Sequence, residues 1–338
     1  MQFEARLKLL RPTAVVFVVA ATIGLAACGS SSSSSSSSSA STSAAKKGIE
    51  VGLAQPTPNN DHSFGEATHN GAVKAQSQLG VKLTEVDSLT TPRAQASALQ
   101  NLARRNELVL MDGAISSQGI SSKFPKTHFV VTDGTLPSAP NNHSVHQDWH
   151  PVAYLAGVAA ATASKTHTVG FIGGIPIPVI LDAQKGYTAG AKSVDPSIKV
   201  LHTTIGSFTD SAKGKDAANA QIAGGADVLY ADLDTAHTGI VQAAKQSGKG
   251  VHVIGSVAPK CDISKGIDIG DTVFDQERIV FTTIKDYVED GKLPPTLTFG
   301  LKGGYSSFQL CPGASAALKK AVATTSDGLL AGKINANP

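Results

Sequence analysis

The 338-residue sequence is poor in aromatic residues, in cysteine and in net charge. Aromatic residues make up 5% of the chain and 33 residues are glycine, a composition that suits close packing of helices on sheets. The formal net charge is only +3, and no basic stripe is interleaved with aromatic residues, which argues against nucleic-acid binding. The GxSxG, HExxH and GxGxxG patterns are also missing, so we expect no enzymatic activity, cofactor or metal.

The sequence has no apolar run long enough to span a bilayer, which takes roughly 20 residues. A shorter run, residues 13–24, follows a basic start and is typical of a secretory signal. The adjoining run LAAC at residues 25–28 resembles the lipobox of bacterial lipoproteins. This resemblance implies that Cys28 carries lipid and becomes the first residue of the mature chain. A plain signal peptide or a short membrane anchor is the alternative.

The residues after Cys28 are small and polar and cannot form a core. Residues 30–39 are all serine, and such a segment buries too little apolar surface to offset its chain entropy. We therefore predict a signal peptide at residues 1–27, a lipidated tether at 28–47 and a ligand-binding domain at 48–338. The protein would be anchored on the extracytoplasmic face of the cell membrane.

Only three cysteines are present, and lipidation would occupy Cys28. Cys261 and Cys311 would then remain in an oxidising compartment, where two such residues most often form a disulfide. Two free buried thiols, or half of a metal site, are the alternatives.

Short β-rich runs alternate with amphipathic helical stretches from residue 48 onward. Residues 108–111 and 228–231 are typical of buried strands, whereas 64–79 and 276–290 are typical of helices. This alternation predicts an α/β fold with parallel sheets, and it occurs twice, which predicts two Rossmann-like lobes joined by a hinge. Because ligands of open parallel sheets bind beyond the carboxyl ends of the strands, we expect a cleft between the lobes.

The lobe boundaries can be estimated from the same pattern. We predict lobe 1 at about 48–145 and 262–293, and lobe 2 at about 146–261 and 294–338. Residues 140–151 are predicted to form a loop or hinge. This segment holds His143, His146 and His150, but their spacing matches no common zinc site.

Several short motifs occur in the order found in the basic membrane protein (BMP) family. They are DHSF at 61–64, YLAG at 154–157, VGFIGG at 169–174, GSFTD at 206–210 and GADV at 225–228. The chain is similar to this family of substrate-binding lipoproteins of ABC transporters, which import solutes. The resemblance implies the type I periplasmic-binding-protein fold, a nucleoside-like ligand and an ABC permease as partner. We expect the protein to be a monomer.

The resemblance also implies a set of ligand-binding residues. Phe64 and Phe208 match positions where the family places aromatic residues around the ligand base, and Asp133 matches a carboxylate of the pocket. Either phenylalanine could instead be a core residue, and Asp133 could simply end a turn. The other candidates are Asn60, Asp61, Trp149, Asp232 and Phe274. The alternative for Asp61 is a helix N-cap.

Three positions depart from the family pattern. Pro56 and Val257 lie where the family usually has carboxylates, and Phe274 lies near the position of a family lysine. Losing these groups should weaken recognition of a sugar, so we expect a flat or aromatic solute. An exported hydrolase, or a sensor or surface-interaction protein on the same fold, are the alternative functions.

Overall fold

The structure, a computed structural model, describes residues 48–113, 115, 119–134 and 136–336. The predicted signal, Cys28 and the serine tether lie outside the described residues. Among the helices in the described ranges, none combines the length and the apolar character needed to cross a membrane.

The chain first builds most of one lobe from alternating strands and helices. The elements are β1 (Glu50–Ala54), α1 (Phe64–Leu79), β2 (Lys82–Val86), α2 (Pro92–Ala103), β3 (Leu108–Asp112), β4 (His128–Thr132) and β5 (Asn142–Gln147). Thr91 begins α2 by accepting a hydrogen bond from the Ala94 amide, and Pro92 occupies the first helical turn, where no amide donor is needed.

The second lobe follows without a break. Its elements are α3 (Trp149–Ala163), β6 (Thr168–Gly173), α4 (Pro178–Val194), β7 (Lys199–Thr204), α5 (Ser211–Ala223), β8 (Val228–Asp232), α6 (His237–Ser247), β9 (His252–Val257), the short α7 (Cys261–Ser264) and β10 (Asp268–Phe274). Gly157 of α3 lies against the backbone of Tyr187 in α4, where a side chain would overlap it. This close approach explains one use of the many glycines.

The last part of the chain serves both lobes in turn. Its elements are α8 (Gln276–Asp290), β11 (Thr296–Phe299), β12 (Ser306–Leu310) and α9 (Ala316–Leu330). Helix α8 packs on α1 and β11 pairs with β5, whereas β12 pairs with β10 and α9 packs on α3. The described chain therefore crosses between the lobes at three places: after β5, after β10 and after β11.

Each lobe contains a six-stranded sheet with the same kind of strand order. The first is β11-β5-β4-β3-β1-β2 and the second is β12-β10-β9-β8-β6-β7. Every pairing in the first sheet is parallel, and in the second only β12 runs antiparallel to its neighbour. The predicted α/β fold of two lobes with parallel sheets is confirmed.

The lobe boundaries differ from the predicted ones in the second half of the chain. The prediction gave 262–293 to lobe 1 and 294–338 to lobe 2. Strand pairing puts β10 in the second sheet and β11 in the first, so each crossing comes later than expected. The sequence of a strand carries little information about which sheet the strand will join.

Residues 140–151 also differ from the predicted loop or hinge, because they include strand β5 and the start of α3. The strand has the polar sequence NHSVHQ, yet five of its six side chains are buried. Their polar atoms find local partners: His143 is hydrogen-bonded to the Pro294 carbonyl, and the Asn142 amide donates to the Pro137 carbonyl. These two polar groups of β5 are thus hydrogen-bonded. The strand nevertheless lacks the run of aliphatic residues by which buried strands were predicted.

The predicted disulfide is confirmed, since Cys261 and Cys311 are bonded. It ties α7, which follows β9, to the residue after β12. The second lobe is therefore cross-linked near the end of β9, and the described part of the first lobe has no such link.

Candidate functional site

A cavity of about 380 Å³ lies between the two lobes. It is bounded by the carboxyl ends of β3 and β4 from the first lobe and of β8 and β9 from the second. Equivalent strand order in the two sheets brings these ends to the same edge of each lobe, which is where ligands of parallel sheets bind. The predicted cleft therefore corresponds to a real cavity.

Each lobe contributes a phenylalanine to the cavity. Phe64 is the first residue of α1, and Asp61 holds this helix end by accepting hydrogen bonds from the amides of Ser63, Gly65 and Glu66. Phe208 lies in the loop after β7, and its ring rests on Gly174, where a side chain would overlap it. Both rings are half-buried, so their remaining surface is available to a ligand.

Trp149 lines the cavity at the crossing between the lobes and is almost fully buried. Its indole nitrogen donates to Asp133 Oδ1 at 3.3 Å. Its ring packs on Phe274, with the two centroids 4.2 Å apart. Phe274 therefore supports Trp149 from outside the cavity.

Asp133 follows β4 in the left-handed region, with φ of 59°, which aspartate tolerates better than most residues. Burial, together with the nearby charge of Asp112, raises the pKa of the Asp133 carboxyl well above its usual range. The Trp149 hydrogen bond opposes this shift. Asp133 is therefore a carboxyl group that holds its proton more readily than an exposed aspartate.

Two more carboxyl groups come from the end of β8. Burial raises the pKa of Asp232 to about 7, against the opposing hydrogen bond to Ser256. Burial also raises the pKa of Asp234 to about 6, against the hydrogen bond from Ser63. The Ser63 hydroxyl donates to Asp234 Oδ1 at 2.7 Å and thereby links the first lobe to the second across the cleft.

An apolar wall completes the cavity on the side of the second lobe. It is formed by residues just before α4 and in its first turn: Ile175, Ile177, Val179 and Ile180. These residues are not recognisable as a cavity wall in the sequence, because isoleucine and valine near a helix start are equally typical of a core.

The predicted site residues divide into two groups. Phe64, Asp133, Trp149, Phe208 and Asp232 line the cavity together. Asn60, Asp61 and Phe274 do not line it. Asp61 acts on the helix end that carries Phe64, and Phe274 acts through Trp149.

Asp112 and Asp234 also line the cavity. The sequence predicts Asp234, like Asp232, in a loop that faces the cleft, but Asp112 was not predicted as a site residue. Asp112 is the last residue of β3, and Asp234 comes two residues after β8. The rule that strand ends face the cleft predicts Asp234 and would also have found Asp112.

Pro56 and Val257, two of the positions that depart from the family pattern, also line the cavity. Val257 has φ of 71°, which is unusual for a β-branched residue. The loop after it is held by the Lys260 amide, which donates to Asp271, and by the disulfide at Cys261. The strained turn is therefore fixed from outside the cavity.

The three histidines of residues 140–151 do not converge. His143 bonds to the Pro294 carbonyl, His150 bonds to Asp182 and to the Ala336 carbonyl, and His146 is exposed. His143 and His150 are therefore hydrogen-bonded to protein groups, and the three rings do not form a common site.

A ligand-sized cavity between two similar α/β lobes defines a two-lobed binding protein. The sequence profile of the Bmp family, described as ABC transporter substrate-binding protein PnrA-like, matches residues 49–327. The chain belongs to this family. It is therefore a substrate-binding protein of the ABC transporter type and not an enzyme.

Similar proteins carry related descriptions. The ABC transporter nucleoside-binding protein BmpA of Lactococcus lactis subsp. cremoris is 38% identical over 226 residues, which cover 62% of this chain and 64% of that protein. The match spans less than two thirds of the Lactococcus protein. Basic membrane protein D of Borreliella burgdorferi is 26% identical over 254 residues, which cover 72% of this chain and 73% of that protein.

Solved structures share the fold. An ABC transporter solute-binding protein from Aeropyrum pernix superposes with a TM-score of 0.74 at 20% identity, covering 85% of this chain and 92% of that one. The Caulobacter myo-inositol binding protein superposes with a TM-score of 0.65 at 16% identity, covering 80% and 95%. These likenesses show the type I periplasmic-binding-protein fold.

Proposed function

We propose that this protein is the lipid-anchored receptor of an ABC importer and captures a flat, nucleoside-like solute in the cavity between its lobes. The observation that carries the proposal is the pair of half-buried phenylalanines, Phe64 and Phe208, contributed to one cavity by different lobes. Two aromatic faces are suited to a planar heterocycle, because each can stack on it.

The dimensions of the cavity support a small solute. Its volume of about 380 Å³ lies at the lower end of the range for ligand sites, roughly 300–1,000 Å³. Its mixture of aromatic, aliphatic and carboxyl groups is typical of such sites, where apolar surface supplies affinity and a few polar groups fix orientation. The description of the Lactococcus relative as nucleoside-binding supports the same class of ligand.

The interlobe contacts support capture by closure. Ser63 and Asp234 are hydrogen-bonded across the cleft, and Trp149 and Asp133 are hydrogen-bonded beside it. Separation of the lobes would break both bonds and open the cavity. Binding proteins with hinges commonly close around their ligands in this way.

The ligand proposal is tested by calorimetry and thermal unfolding with a panel of nucleosides and free bases. We expect saturable binding of at least one member and a rise in unfolding temperature that grows with its concentration. Phe208→Ala should weaken that binding, whereas Phe281→Ala, on α8 and outside the cavity, should leave it unchanged. No binding by any member would overturn this part of the proposal. Mass spectrometry of any solute that co-purifies would name the ligand directly.

The anchor is tested separately by labelling cells with a radioactive fatty acid. The unaltered chain should incorporate label and sediment with membranes. Cys28→Ala should remove both properties, and Ser30→Ala is the matched control. Labelling that persists in Cys28→Ala would contradict the proposed lipidation site. A permease that co-purifies with the lipidated protein would favour import over a sensor role.

A further inference from the structure

Carboxyl groups from both lobes line the cavity. Asp112 and Asp133 come from the first lobe, and Asp232 and Asp234 from the second. No lysine or arginine is among the described residues that line it. Residues 114, 116–118 and 135, which are not described, are uncharged in the sequence. The described walls of the cavity therefore combine acids with aromatic faces, and the described lining includes no basic side chain.

Lys260, whose charge acts on Asp232 and Asp234, offsets these acids only in part. Lys260 is buried outside the cavity lining, and its ammonium group donates to the Ser256 carbonyl at 2.8 Å. Its charge is shared among Asp232 and Asp234 at the cavity and Asp61, Asp268 and Asp271 outside it. One buried lysine shared in this way leaves the cavity with an excess of carboxyl groups.

One of the cavity acids has an unused oxygen. Asp232 is 2% exposed, and its Oδ2 has no hydrogen-bond partner among the described residues. A buried acceptor without a partner is costly, and buried polar atoms in proteins usually have one. Because Asp232 lines the cavity, a donor on the ligand would supply the missing partner.

We infer that the cavity takes a flat heterocycle whose edge carries positive charge and which bears no phosphate, with Asp232 and Asp234 receiving the charged edge. The inference rests on the proposed function, since it concerns the same cavity and refines the class of its ligand. Ionised carboxylates form stronger hydrogen bonds with charged donors than with neutral ones. The faces of Phe64 and Phe208 also attract cations, and the carboxylates that are ionised would repel a phosphate.

Proton linkage follows from the raised pKa values of this pair, about 7 for Asp232 and about 6 for Asp234. The charged or titratable groups that interact with the pair are Asp61, Asp133, Tyr230 and Lys260. Near neutral pH the empty site holds protons, which a cationic ligand displaces. Affinity for a cation should therefore rise with pH across this range, and that for a neutral ligand should change less.

Calorimetry of the full chain with three related ligands tests the inference. The ligands are adenosine, the cationic 1-methyladenosine and the anionic adenosine 5′-phosphate. The main readout is the ratio of the affinities for 1-methyladenosine and adenosine, compared between the unaltered protein and the double variant Asp232→Asn, Asp234→Asn. Comparing the same two ligands in both proteins cancels any steric effect of the methyl group.

We expect the ratio to fall by about tenfold or more in the double variant, since charged hydrogen bonds are stronger than neutral ones. Adenosine 5′-phosphate should bind more tightly to the variant than to the unaltered protein. Asp216→Asn, exposed on α5 and outside the cavity, should leave all three affinities unchanged. Thermal unfolding checks that each variant is folded.

Three outcomes are informative. A ratio that falls in the double variant, together with cation affinity that rises with pH in the unaltered protein, supports the inference. Adenosine binding with an unchanged ratio overturns the inference and leaves the proposed function standing. Failure of every ligand here and in the wider panel overturns both.

Discussion

The two lobes share a strand order but build different walls for the cavity between them. Each contributes one phenylalanine and two aspartates. In the first lobe, Asp112 and Asp133 end neighbouring strands and are half-buried. In the second, Asp232 is 2% exposed and retains an oxygen without a partner among the described residues. The second wall therefore places a more deeply buried carboxyl group against the ligand space.

The second wall, the part of the cavity lining that comes from the second lobe, is also fixed by more bonds between its loops. The Phe208 carbonyl accepts hydrogen bonds from the amides of Asp234 and Ala236, so the aromatic and acidic loops are tied together. The Val257 turn beside them is fixed by the disulfide and by the bond between Lys260 and Asp271. Such support is what a site of fixed geometry needs. We therefore expect the second lobe to set ligand preference and the first to supply the surface that meets the ligand.

Removal of the disulfide should have the largest effect on this comparison. In the chain-entropy model, closing a loop with a sequence separation of 50 stabilises by about 4 kcal/mol, so Cys261→Ser with Cys311→Ser should lose stability of that order. In hydrogen exchange, the backbone amides of β10 and β12 should lose protection before those of β3 and β4. Equal loss of protection in both lobes would show that the disulfide does not stabilise the second lobe in particular.

Loss of either cavity phenylalanine should have the next largest effect. Stacking of an aromatic residue on a base contributes roughly 1–3 kcal/mol, so Phe64→Ala and Phe208→Ala should each weaken binding of a flat ligand by about 5- to 150-fold. Calorimetry with the tightest ligand of the panel measures this. If the second wall is the more rigid, Phe208→Ala should cost more affinity. The reverse order would contradict the assigned roles of the lobes.

The acids of the second wall should make stability depend on pH. The pKa of Asp232 is about 7 in the folded protein, above the usual value for an unfolded aspartate of about 3.9. Between these values the folded state holds a proton that the unfolded state has released, so the free energy of unfolding falls as pH rises from about 4 to about 7.

Asp232→Asn should remove this contribution and flatten the pH profile of the unfolding temperature by a few degrees. The matched control is Asp216→Asn, on the exposed face of α5. Parallel profiles for the unaltered protein and Asp232→Asn would show that this carboxyl group is not desolvated in solution.

The smallest expected effect concerns the bond between the lobes. Ser63→Ala removes the donor to Asp234, a loss of about 0.5–1.5 kcal/mol for a typical hydrogen bond. In small-angle X-ray scattering without ligand, the variant should show a larger mean radius of gyration, because the closed arrangement loses support. Ser122→Ala, exposed in the first lobe and away from the cleft, is the control. No change would show that this hydrogen bond does not bias closure.

Much of the fold was predictable because long elements carry strong periodic signals. The predicted helices at 64–79 and 276–290 have the bounds found in the structure. Strand β5 was missed because its buried side chains are polar and depend on partners such as Pro294, which are distant in sequence. The edge strands β11 and β12 were missed because they are short and partly exposed.

The site was predictable at strand ends, as at Asp133 and Asp232, and within the family-like motifs, as at Phe64 and Phe208. The roles of Asp61 and Phe274 depend on which neighbours the fold gives them, the helix end at Ser63 and the ring of Trp149. Likewise, only the three-dimensional structure reveals that Asp232 lacks a partner for one oxygen, because this depends on all the groups around it.

The interleaved order of the last strands has a consequence for synthesis of the chain. β11 completes the first sheet and β12 completes the second, and both follow α8 near the carboxyl end. A nascent chain that ends at Asp290 has an unpaired edge on β5 and another on β10. Such edges readily pair with other chains. Neither lobe can therefore finish folding while the ribosome still holds the last strands, and premature termination would leave both lobes prone to aggregation.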